Sequence, residues 1–202
     1  LGLKWAEWNY GPQERLMTAV SWEQYLGIPG SLHSTFAYQN IRESRKKRKF
    51  GDALREIQEE LVDVISLSSV WVSSPFRGDG WKFEAGIDGQ WNDVTSDVRA
   101  EDFSGITIAD SGFAGSLLTR YPNAGSDMLS WASFASAKRN SGEKTFHIGV
   151  RYSHSAINAS YIPTSALELP FDEIHSSHGA LTGSIAAEVP LSLNTKTTTS
   201  LS

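Results

Sequence analysis

Six basic side chains fall within eight positions: Arg42, Arg45, Lys46, Lys47, Arg48 and Lys49, interrupted by a single acid, Glu43. Lys and Arg at that density neutralise phosphates and release their counterions, so the cluster is expected to hold a polyanion, either nucleic acid or an anionic membrane surface. Short Lys/Arg runs are also read by nuclear import machinery, which adds a second kind of partner. Histidine supplies the other chemistry. His33 lies in "GSLHSTF" and His175 in "DEIHSSH", so each heads a His-x-(Ser/Thr) element with Thr35 or Ser177. Histidine is a common general acid and base. His175 and His178, with Asp172 or Glu173, also have spacing that a metal ion accepts.

The pair His33-x-Thr35 and His175-x-Ser177 resembles the signature of the two-histidine phosphoesterases. That resemblance implies a small phosphodiester-processing enzyme with His33 and His175 as its proton-handling residues. It departs from the pattern at His178, where an apolar residue is wanted. Motifs for other chemistries are missing. There is no Gly-x-Ser-x-Gly, no Gly-x-x-x-x-Gly-Lys and no Gly-x-Gly-x-x-Gly, and the chain has no cysteine. No cofactor and no metal are therefore expected. Arg77-Gly78-Asp79 is the tripeptide that integrins recognise, but Gly-Asp is also what a tight turn requires, and a turn is the reading taken here.

The elements that must carry these residues divide the chain in three. Residues 1–30 read as helical with breaks. Trp5 and Trp8 share a face, and Leu16, Met17 and Val20 form a stripe before Pro29-Gly30. Phe50, Ala53, Leu54, Ile57, Leu61 and Val64 recur every three or four residues, which predicts an amphipathic helix over 50–65 with the basic cluster in the loop before it. Beyond Ile65 the period becomes two. Strands are predicted at 67–72 and 81–87, joined as a hairpin through "FRGDG", and at 106–108, 145–152 and 181–193. A short helix is predicted over 127–139, and "YPNAGSD" at 121–127 is a loop. "NTKTTTSLS", 194–202, reads as a polar tail. The expected fold is α+β: N-terminal helices, then a mostly antiparallel sheet or sandwich from about residue 66, all in one domain over 1–193.

Composition decides between surface and pocket. The 202 residues include seven Trp, nine Phe and six Tyr, enough apolar area for a packed core or an association surface. Net charge is −5, yet removing segment 42–49 leaves 12 basic and 22 acidic residues, a net of −10. The positive charge is local on an acidic body. No apolar run reaches the roughly 20 residues of a membrane-spanning helix, and Leu1 in place of an initiator Met is expected of a trimmed or processed chain. These features predict a non-enzymatic structural or assembly protein of the viral matrix or coat type. Such a protein would self-associate through aromatic faces as a homo-oligomer and meet nucleic acid or anionic lipid through 42–49. Its place would be the virion or the host cytoplasm or nucleus if viral, and otherwise the cell interior. The phosphoesterase is the contrasting expectation.

Overall fold

A computed structural model describes residues 4–74, 80–102, 107–108, 117–192 and 195–201, with backbone only at 107–108 and from 190 onward. Ten strands run in chain order: β1 (Trp5–Tyr10), β2 (Glu14–Tyr25), β3 (Ser31–Lys49), β4 (Arg55–Val72), β5 (Trp81–Glu101), β6 (Thr107–Ile108), β7 (Ser126–Ser141), β8 (Lys144–Ser160), β9 (Glu173–Ser192) and β10 (Thr195–Leu201). They form one antiparallel sheet in the order β1-β3-β4-β5-β7-β8-β9-β10, with β2 also on β3 and β6 on β5. It is an up-and-down meander with each long strand beside its chain neighbour. β1 and β2 share the outer side of β3, paired to its two halves.

The fold is all-β, so the α+β expectation is corrected: among the described residues there is no helix. The N-terminal third is β1, β2 and β3, and the stretch predicted as a helix over 50–65 lies mostly in β4. In β4 the register puts Ile57, Leu61 and Ile65 on one face and Val62 and Val64 on the other. Their three-and-four spacing mimicked a helical stripe because both faces of this half-strand carry charges as well as apolar residues. The segment 127–139 is β7, where small residues alternate with Leu129 and Trp131. The tail 194–202 is not a loose end either, since β10 pairs with β9 from Leu201↔Ile185 to Thr195↔Ser192. The strands expected near 67–72, 81–87, 145–152 and 181–193 lie within β4, β5, β8 and β9, all far longer than the sequence suggested. Arg77-Gly78-Asp79 lies outside the described residues.

Turns differ at the two ends of the sheet. β7 and β8 are joined by Gly142-Glu143 alone. Gly142 has φ of 60° and Glu143 does not take a positive φ, which matches a II′ hairpin with Gly first. By strand order, β2–β3, β4–β5 and β9–β10 also connect at that end, and β3–β4, β5–β7 and β8–β9 at the opposite end.

Among the described residues no second layer covers the sheet, and only Ala37, Ile57, Val64, Ala100, Ala132 and Ala159 are buried apolar residues. The accessible surface is 13479 Å², against roughly 9,400 Å² expected of a compact monomer of this mass. Water-soluble sheets bury at least one face against another layer. This one leaves both open.

Candidate functional surface

Antiparallel register fixes which side chains share a face, because residues paired across strands point the same way. One face, called outer here, collects Leu16, Val20 and Trp22 of β2; Leu32, Phe36 and Tyr38 of β3; and Ile65, Leu67 and Trp71 of β4. It continues with Trp81, Phe83, Ile87 and Trp91 of β5, Leu129 and Trp131 of β7, Phe146, Ile148, Val150 and Tyr152 of β8, and Leu181 and Ile185 of β9. These residues are solvent-exposed or half-exposed: Leu181 by 72 %, Ile185 by 60 %, Ile148 by 51 %. Five of the seven tryptophans lie on this face. Ser34 and Ser69, polar in its midst, satisfy each other at 2.8 Å.

The apolar stretch spans 81–91 on β5, eleven residues and close to the 9–11 a tilted strand needs to cross a bilayer, and 146–152 on β8, where His154 follows on the same face. Its position drifts along the register. On β2 it centres near residue 19 and on β9 near 185, while the register would place 19 opposite a point about seven residues away. That is about 23 Å along the strands over about 29 Å across them, a tilt of ~40° and inside the range of membrane barrels.

One end of the band closes on a polar row. Asn40, Asp63, Asp93, Asp127, Asn158 and His175 stand directly opposite one another on six successive strands. Tyr38 Oη donates to Asp63 Oδ1 at 2.5 Å and Asn40 Nδ2 at 2.8 Å, and these hydrogen bonds hold the Asp63 carboxyl below its ordinary range. Asn158 Nδ2 donates to Asp127 Oδ2 at 2.9 Å, and Asn158 Oδ1 accepts from His175 Nδ1 at 2.9 Å.

The other face, called inner, is mostly polar along the middle of the sheet: His33, Thr35, Gln39, Ser66, Ser68, Glu84, Asp88, Gln90, Ser136, His147, Arg151, Thr182 and Ser184. Arg151 reaches across β7 to Asp88 with two contacts of 3.0 and 3.1 Å, donates to Ser153 Oγ at 3.1 Å and lies over the Phe134 ring. A concavity of about 770 Å³ opens on this region, with Glu84, Phe134, His147 and Arg151 among its lining residues.

The basic cluster is divided rather than gathered. β3 alternates, so Arg42, Lys46 and Arg48 point outward, Arg45 and Lys47 inward, and Lys49 ends the strand. The acidic half of β4 lies directly beside it. Lys47 Nζ bonds Glu56 at 2.8 Å, Arg45 sits over the Tyr10 ring, Glu14 stands opposite Arg42, and Arg48 donates to the Asp52 carbonyl. Glu59 near Lys46 is bound by Arg99 at 2.6 Å, the main cause of its lowered carboxyl pKa. The basic-then-acidic sequence thus folds into a charge-complementary hairpin.

His33 and His175 are not brought together. His33 is on the inner face beside Ser31 Oγ (2.8 Å) and Glu23 (3.6 Å). His175 is on the outer face beside Asn158 and Glu173, five strand spacings away, about 24 Å. His175 and His178 point to opposite faces of β9. Among the described residues no group of three His, Cys, Asp or Glu is placed to hold a metal. The outer band escaped the sequence reading, although Phe146, Ile148, Val150 and Tyr152 signalled it by strict alternation.

No protein family, curated protein or solved structure matches the chain.

Proposed function

We propose that the chain forms the wall of a membrane-embedded β-barrel, its outer face against lipid and its inner face toward water. The carrying observation is the tilted apolar band, eleven residues deep on β5, on a sheet with no second layer among the described residues. Lipid replaces the missing layer. The two longest connections, of 24 and 12 residues, fall at one end, which suits the same reading. The role is structural, in keeping with the expectation of a non-enzymatic protein, and the anionic partner becomes the headgroup region beside the band. Polarised infrared spectroscopy of the protein in oriented bilayers tests this. Strands inclined at ~40° to the normal support it, together with quenching of tryptophan by brominated acyl chains. A water-soluble protein whose tryptophans are not quenched overturns it.

Self-association is a second reading, favoured by the outer edge of β2. All twelve of its residues are exposed, and β3 is its one strand partner. Unpaired peptide groups cost several kcal/mol each in hydrocarbon, so a membrane sheet needs both edges joined. A sister copy supplies such a strand. The native chain has no cysteine, so Thr18→Cys introduces a single thiol. A covalent dimer formed in bilayers supports pairing of copies, and its absence with an intact sheet rejects it.

A further inference from the structure

Glu60 is the most enclosed charged side chain described, 2 % exposed, and neither of its carboxylate oxygens accepts a hydrogen bond. It points to the inner face beyond the apolar band. Directly opposite it on β3 stands Glu43, a like charge. On its other side β5 presents only Ser96. Arg45 is the nearest β3 cation, with its Nε buried and unpartnered.

Residues 117–121 lie across this pair. Gln58 Nε2 donates to the Leu118 carbonyl at 2.7 Å, and the Tyr121 N–H donates to Ser96 Oγ at 3.4 Å. Arg120 Nη1 is 3.5 Å from both Glu43 Oε2 and Glu60 Oε2. One guanidinium therefore answers two carboxylates, and one of those is dehydrated. We propose that residues 117–121 are a proton-operated strap, closed over Glu60 when that carboxyl is protonated and loosened when it is ionised.

The sign follows from what the strap covers. Lifting it lets water reach Glu60, which favours the carboxylate. Closing it excludes water and sets a charge against Glu43, which favours the acid. Burial accordingly raises Glu60 above the ordinary glutamate value of 4.5, with Glu43 adding to it and Arg120 and Arg45 opposing. The covered form binds the proton more tightly, so falling pH favours closure. The gain is complete below the ordinary value and vanishes above the raised one. With Glu60 neutral, Arg120 and Glu43 remain as a one-to-one pair.

The test uses a spin label on Leu118→Cys, the sole thiol in the chain, in the full-length protein in lipid. The immobile fraction is expected to rise severalfold from pH 8 to pH 4.5 as a one-proton transition. Glu60→Gln should hold the label immobile throughout. Glu43→Gln, which removes the like charge and keeps Arg120, should move the midpoint to lower pH, and it stands in if Glu60→Gln fails to fold. Mobility independent of pH in the parent, or a transition unchanged by both substitutions, overturns the strap.

Discussion

Tyr152 lies over Gly179 so closely that a Cβ built on the glycine would sit 2.6 Å from the phenol oxygen. On the inner face Phe134 covers Gly86, where a Cβ would meet the ring at 2.7 Å and the Ser69 carbonyl oxygen at 2.7 Å. Each aromatic fills the space its cross-strand glycine leaves, which pins neighbouring strands together. The two sites differ in what can yield. Tyr152 can swing away, but the Ser69 carbonyl belongs to the β4 backbone. Gly86→Ala is therefore expected to cost about 1–3 kcal/mol and Gly179→Ala less, measured by urea unfolding in lipid. Equal costs would mean that the rings do not lock the strands.

The apolar band makes a one-residue distinction. Val150 faces outward and His147 inward on the same strand. Val150→Arg is expected to destabilise the membrane-inserted state by about 2–4 kcal/mol, whereas His147→Arg changes it little. Folding titrations into vesicles measure both. Similar losses at the two positions would remove the assignment of faces.

Asp63 gives a pH dependence. Hydrogen bonds from Tyr38 and Asn40 lower its carboxyl below the ordinary 3.8. It contributes stability above that value, which is lost as pH falls below 3.8 through the lowered one. Asp63→Asn should flatten this acid limb, and Tyr38→Phe should shorten it. An acid limb unchanged in Asp63→Asn would assign it to other carboxylates.

The charge-complementary hairpin predicts a measurable coupling. Lys47 and Glu56 are each about one-fifth exposed and 2.8 Å apart. A double-mutant cycle with Lys47→Gln and Glu56→Gln is expected to give up to about 1 kcal/mol, shrinking as salt is added. A coupling of zero would return Lys47 to the pool of cations available to an external polyanion.

The sequence showed strands where one face is apolar and the other polar. "TFHIGVRY" alternates so regularly that β8 and its faces were readable in advance. Beyond the band the code weakens. From Arg42 to Lys49 and from Glu56 to Asp63 both faces are charged, so no period of two survives and chance spacings suggest a helix. Small residues hid β7 for another reason: Ala132, Ala135 and Ala137 contrast too little with Ser130, Ser133 and Ser136 to mark a face. The division of the basic cluster between faces follows from strand geometry, which a run of like residues does not announce. The separation of His33 from His175 depends on which strands intervene, and local pattern carries none of that.

The asymmetry of the connections has a practical consequence. At one end β7 turns into β8 through two residues, while at the other 24 residues separate β5 from β7 and 12 separate β8 from β9. A sheet so built, held in a vesicle, shows antibodies a longer segment on one side of the membrane than on the other. An antibody raised against residues 161–172, added outside the vesicle, thus reports the direction of insertion.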